Sequence, residues 1–197
     1  MNLLYPKIRL KHLRGILGHA AVGALFAAVN GILHDQITYS ISPEYFTRLK
    51  FIQFHYANLG FPPRVFVAEV GVLATWWVGL IAGWFVARKT VPYFAPKIAL
   101  RKSLMGFGIM FMLASLAGAV GYLLGWVWGP NADCSSWQHF ASRYGVRDLP
   151  SFVRVAYIHN ASYLGGFVGL VVALLLLRKQ KPALVSDDSN YGQPHRT

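Results

Sequence analysis

The sequence predicts an all-α polytopic membrane protein: a bundle of four transmembrane helices with two short amphipathic helices on the extracytoplasmic side. Three observations carry this. Four apolar runs are long enough to cross a bilayer, the charges are confined to short segments between them, and Lys and Arg are concentrated in alternate segments. Of 197 residues, 55% are hydrophobic and 13% charged, well under the roughly 25% charged residues of soluble domains. In a soluble chain a net charge of +12 would point to nucleic acid. Here the charges flank apolar runs, so the expected partner is the lipid bilayer and nucleic acid is excluded.

Crossing the hydrocarbon core takes about 20 mainly apolar residues. Residues 15–33, 65–87, 104–128 and 155–177 meet that length, and each must be helical because an unpaired peptide group in lipid costs several kcal/mol. The first run follows a basic stretch, as a signal peptide would. It is long enough to span, however, and no small-x-small site precedes Asn30 and His34, so it is read as a retained helix. The four runs and their flanks form one membrane domain, residues 1–181. Residues 182–197 are polar, with Pro182, Asp187, Asp188 and Pro194, and are expected to be a disordered cytoplasmic tail.

Orientation follows from the flanks. Lys7, Arg9, Lys11, Arg14, Arg88, Lys89, Lys97, Arg101, Lys102, Arg178, Lys179 and Lys181 lie on one side. The other side has Arg48, Lys50, Arg64, Arg143, Arg147 and Arg154, diluted by Asp35, Glu44, Asp133 and Asp148. The positive-inside rule therefore puts both termini in the cytoplasm, and the expected location is a bacterial inner membrane.

Small residues recur every four positions along the runs, on faces where helix backbones can approach. The first run has Ala20, Ala24 and Ala28, flanked by Gly23, Ala27 and Gly31; the second has Gly79 and Gly83; the third has Ala117, Gly121 and Gly125; the fourth has Ala161, Gly165, Gly169 and Ala173. These ladders suit a compact bundle, with a face to spare for a membrane-protein partner.

Between the first two runs, Ser42-Pro43-Glu44 is a helix start and Asn58-Leu59-Gly60 a stop. Tyr45, Leu49, Ile52 and Tyr56 fall at helical spacing, which predicts an amphipathic helix lying on the outer leaflet or capping the bundle. In the next outer segment Ser135-Ser136-Trp137-Gln138 has the form of a capping box and Gly145 is a terminator. Pro150 then fits the first turn of a longer fourth helix. Cys134 is the single cysteine, which excludes an intrachain disulfide and a cysteine-built zinc site; it reads as an inert, partly buried thiol.

Ionisable groups inside a span are costly and mark function by default. Glu69 and His159 each lie four residues inside the outer end of a run, at a depth of about 6 Å for a rise of 1.5 Å per residue. Asn30 reaches a similar level on the first run, with His34 and Asp35 at its outer mouth. The candidate site is therefore His34, Glu69 and His159, supported by Asn30, Asp35, Asn160 and His55. Two imidazoles and a carboxylate are a common ligand set for a divalent metal such as zinc or iron. The same three residues suit metal-free acid/base catalysis by a membrane enzyme, or a proton or ion relay in a small transporter. A purely structural reading pairs Glu69 with Arg64, Arg154 or His159 and makes the protein an accessory or assembly subunit of a larger complex. The transporter reading is the weakest, since no run is broken by proline at mid-depth. His19, lower in the first run, reads as a hydrogen-bonded core histidine, because no second imidazole lies at its level to share a haem. The outer arginines and Lys50 suit an anionic headgroup or plain snorkelling to lipid phosphate.

Overall fold

The computed structural model describes residues 9–128 and 134–179; the tail 182–197 lies outside them. The regular structure of the described residues is all helical, and four of the helices are long and apolar enough to cross a membrane. They are α1 (Leu10–Ile41), α4 (Pro63–Thr90), α5 (Pro96–Trp128) and α7 (Leu149–Lys179). Between them lie two short α-helices, α2 (Pro43–Tyr45) and α3 (Phe51–Gln53), then α6 (Ser135–Tyr144). The chain thus runs long helix, short segment, long helix, twice.

α1 runs two turns past the end of its apolar stretch. Thr38 and Ser40 donate their hydroxyls back to the carbonyls of His34 and Gln36, at 3.0 Å each, so these polar residues sit in the helix without leaving it. Pro43 ends it: the residue before a proline is pushed out of the helical region, and Ser42 has φ −142° and ψ 96°. The helix therefore outruns the apolar run that ends at Leu33, which matters because Asp35 lies on a helix and not in a loop.

The segment after Ser42 starts as its sequence indicates, with Pro43 in the first turn and Ser42 Oγ accepting the Tyr45 N–H at 3.4 Å. It does not continue as one amphipathic helix. Phe46–Lys50 form a π-helical turn, α3 follows, and His55–Ala57 form a 3₁₀ turn. Tyr45 and Phe46 are buried, whereas Ile52 and Tyr56, expected on the same face as Tyr45, are exposed. The wide turn breaks the 3.6-residue repeat and lets adjacent aromatics face inward.

α6 begins at Ser135, directly after Cys134, whose side chain makes no cap. Gly145 ends it in the left-handed region, φ 67°, with the Val146 N–H donating to the Ala141 carbonyl at 2.9 Å, the helix stop that glycine favours. α7 starts at Leu149 with Pro150 in its first turn, and Asp148 Oδ1 accepts the Ser151 N–H at 3.2 Å.

The long helices pack as two close pairs, α1 with α4 and α5 with α7, with far fewer contacts between pairs. The small-residue ladders explain the pairing. A Cβ on Gly71 would lie 2.6 Å from the Gly31 carbonyl, and one on Gly83 2.9 Å from Ala20 Cα. Across the second pair, a Cβ on Gly121 would lie 2.8 Å from the Tyr157 carbonyl oxygen and one on Gly169 2.7 Å from Met110 Cα. Thr75 adds a bond between helices, its hydroxyl donating to the Ala27 carbonyl at 2.8 Å. On α1 the face in contact runs through Ala20, Gly23, Ala27 and Gly31, while Ala24 and Ala28 stay half-buried.

Two hydrophobic clusters hold the pairs together. At one end Val86, Phe107 and Leu177 meet. At the other, called here the upper end, Tyr45, Phe46, Val67, Phe152, Val153, Val155 and Ala156 form the larger cluster, with Trp137 and Phe140 of α6 against it. Glu44 fastens this cap: its Oε2 accepts the N–H groups of Arg147 and Asp148 at 2.9 and 2.8 Å, at the positive end of α7. The short segment after α1 is thereby tied to the second helix pair.

Candidate metal centre

Directly beneath the aromatic cap, α1 and α7 bring three potential ligands together. His34, Asp35 and His159 each offer an atom within 4.8 Å of the other two. Asp35 is 5% exposed and His159 2% exposed. The two imidazole rings meet edge to face with centroids 4.7 Å apart. Tyr45 lies against the other side of His159 at 4.9 Å, and Phe46 and Tyr163 flank it at 6.2 and 6.0 Å.

Hydrogen bonding fixes the state of His159. Its Nδ1 lies 2.9 Å from the Val155 carbonyl oxygen. A carbonyl only accepts, so Nδ1 carries the proton, and in the neutral ring Nε2 then presents a lone pair. That Nε2 faces Asp35 Oδ1 at 3.3 Å. A lone pair facing an ionised carboxylate oxygen is unfavourable, so the contact calls for a proton shared between the two atoms or a bound cation. His34 adds a third donor, since its Nε2 is buried with no hydrogen-bond partner.

The separation of His159 Nε2 and Asp35 Oδ1 fits two ligands on one metal, with the His34 donor within 4.8 Å of both. Two donors about 2.0–2.1 Å from one zinc ion, at tetrahedral or octahedral angles, lie about 2.9–3.4 Å apart, which brackets the separation of Nε2 and Oδ1. The bond from His159 Nδ1 to the Val155 carbonyl is the outer contact that usually orients a ligating imidazole. Three protein ligands would leave positions open for water or substrate.

No family model, curated protein or solved structure matches this chain. Geometry and chemistry alone carry the functional reading.

The structure unites two of the three expected principal residues, His34 and His159. The carboxylate beside them is Asp35, expected only in a supporting role. Glu69 is not in the converging set: it lies on α4, and its Oε2 is buried with no partner. Nor does Glu69 pin helices through an ion pair with Arg64, Arg154 or His159, for the ion pair among the described residues is that of His159 with Asp35. Arg64 instead donates to the Gln36 side chain at 3.1 Å and to Ser40 Oγ at 3.1 Å. Asn160 is exposed, on a different face of α7 from buried His159. His55 is exposed and bonds the Ile52 carbonyl at 3.0 Å. Asn30 lines a shallow apolar groove with Val22, Leu25, Phe26, Val29, Leu33 and Phe111.

Tyr45 and Lys50 were not singled out as site residues by sequence, because the register that brings them to the site depends on the π turn. Burial pushes the Tyr45 phenol upward, so it stays protonated. Burial also pushes the Lys50 ammonium down, with the Asp35 carboxylate pulling the other way.

The lower end behaves as the sequence indicated. His19 Nδ1 lies 3.0 Å from Ser103 Oγ, which lies 3.0 Å from Thr90 Oγ1. Ser103 and Thr90 are fully buried, so this is a hydrogen-bonded core network.

Proposed function

We propose that this is a multi-pass membrane protein that binds one divalent transition metal, zinc or iron, through His34, Asp35 and His159, and uses the remaining coordination positions for chemistry on a substrate. The observation that carries the reading is the pair of imidazole nitrogens without protein hydrogen-bond donors, one facing Asp35 and one with no partner. A single cation answers all three groups, whereas a proton on His159 answers two of them and leaves His34 orphaned. The concentration of Lys and Arg in the flanks at the lower end supports an orientation with that end in the cytoplasm. The metal would then lie near the outer face, beneath the aromatic cap, held by His34, Asp35 and His159, and would supply Lewis-acid chemistry there.

One observation favours a second reading. The 3.3 Å contact between Nε2 and Oδ1 also suits an imidazolium–carboxylate pair, which would act as a proton-transfer couple or simply join the helix pairs. Metal analysis separates the two. Protein purified without chelator is expected to contain about one metal per chain, and His34→Ala and His159→Ala are expected to lose it, because removing one of three ligands from an open site is severe. Equal metal content in the wild type and both variants would overturn the metal reading.

A further inference from the structure

The segment between α1 and α4 has two halves that face opposite ways. Its first half buries Tyr45 and Phe46 over His159. In its second half Ile52, Tyr56, Leu59 and Phe61 are 46–74% exposed, and Val65 at the start of the α4 apolar run is exposed as well. Scattered apolar side chains on a surface are ordinary, but a cluster this dense marks a contact surface.

Phe51 fixes the depth of that surface. Its ring lies 4.6 Å from that of Phe66, the second residue of the apolar run 65–87, so the segment sits beside α4 at the edge of the hydrocarbon. A loop at that level must satisfy its own donors, since an unpaired peptide group in apolar surroundings is costly. The Ala57 and Asn58 N–H groups donate to the Phe54 and His55 carbonyls at 2.9 and 3.2 Å, and the Gly60 N–H donates to Asn58 Oδ1 at 2.9 Å. Pro62 and Pro63 have no N–H to satisfy. The charges agree: no acid lies between Glu44 and Glu69, while Arg48, Lys50 and Arg64 are basic, the sign that lipid phosphate attracts.

We propose that residues 52–61 are an interfacial anchor whose partner is the phospholipid surface at the upper end of the bundle. Ile52, Tyr56, Leu59 and Phe61 insert among the headgroups and the first acyl carbons, where aromatic and aliphatic side chains of interfacial segments settle. The stretch of chain that covers His159 is thereby tied to the membrane surface. This rests on the membrane-spanning reading of the long helices and not on the metal.

The test uses the full chain in phosphatidylcholine nanodiscs, with Cys134→Ser as background so that a nitroxide label attaches only to an introduced cysteine. Tyr56→Cys and Leu59→Cys place the label on exposed side chains and leave the core intact. Phe167→Cys, also exposed and midway along α7, is the hydrocarbon reference. Collisions with oxygen, which concentrates in lipid, are compared with collisions with a water-soluble nickel chelate. The expected result is that oxygen reaches positions 56 and 59 more readily than the chelate does, with a smaller ratio than at 167, as a position at the hydrocarbon edge requires. Preferential access of the chelate to 56 and 59 would overturn the proposal by placing the segment in water. Labels there that neither reagent reaches would overturn it by showing the surface covered by protein, a second copy or another chain. Preferential access of the chelate to 167 would overturn the membrane-spanning reading and the anchor with it.

Discussion

His159 Nε2 and Asp35 Oδ1 lie 3.3 Å apart and join the two halves of the molecule, one atom from α7 and the other from α1. Few other contacts cross between the helix pairs outside the hydrophobic clusters at either end. What sits between these two atoms therefore decides both the chemistry of the site and part of the bundle's cohesion.

Substituting Asp35→Asn tests the carboxylate as a metal ligand. The amide keeps the shape of the side chain and can still donate an N–H to the Nε2 lone pair, but it is a much weaker ligand than a carboxylate. The expected outcome is a melt that gains nothing on adding metal. Wild type should gain about 2.7 kcal/mol at a metal concentration 100 times its dissociation constant. Thermal melts in detergent with and without zinc read both effects.

The close pairing of α1 and α4 depends on Gly71, one of the positions where a side chain has nowhere to go. Its Cβ would meet the Gly31 carbonyl at 2.6 Å and the Ile32 nitrogen at 2.8 Å, all backbone. Gly71→Ala is expected to destabilise by about 1–3 kcal/mol through forced separation of the helices. It should also weaken metal binding, because Gly31 lies one turn below His34 and Asp35. Gly108→Ala is the control: nothing lies within 4 Å of a Cβ there, so its melt should match or exceed that of the wild type.

The lower network is expected to be structural only. Ser103→Ala removes the hydroxyl between His19 and Thr90; Thr90 keeps its bonds to the Val86 and Ala87 carbonyls while half-buried His19 loses its partner, at a cost of about 1 kcal/mol. Metal content should stay at the wild-type level, since this network lies far down α1 from His34. A Ser103→Ala protein that melts normally but loses metal would contradict the division of labour between the two ends.

Much of the architecture was legible because it depends on composition. The four long helices follow from apolar length, and the pairing faces from small residues four apart, so Gly165, Gly169 and Gly121 were found from spacing alone. His34 and His159 stand out in the sequence because an imidazole within an apolar run has few ordinary explanations. Asp35 stands out less because hydropathy ends near Leu33 while the helix continues: Thr38 and Ser40 satisfy their hydroxyls on the backbone, which no hydropathy measure records. Asn160 is next to His159 in sequence but not in space, since one step along a helix turns about 100° away. The π turn had no local signal, because it follows from packing Tyr45, Phe46 and Phe51 inward together.

Glu69 gives the sharpest contrast between sequence and structure. An acid four residues inside an apolar run looked like the natural carboxylate ligand, yet its Oε2 is buried without a partner and outside the group formed by His34, Asp35 and His159. Glu69→Gln is therefore expected to keep full metal content. It should leave the melt unchanged or raise it, since an unpaired carboxylate in apolar surroundings is costly and an amide less so. Asp35→Asn should do the reverse for the metal. Metal content measured on the two isosteric variants side by side thus assigns the carboxylate ligand to one helix. Loss of metal in Glu69→Gln with retention in Asp35→Asn would move it from α1 to α4, because each change removes one negative charge while preserving shape.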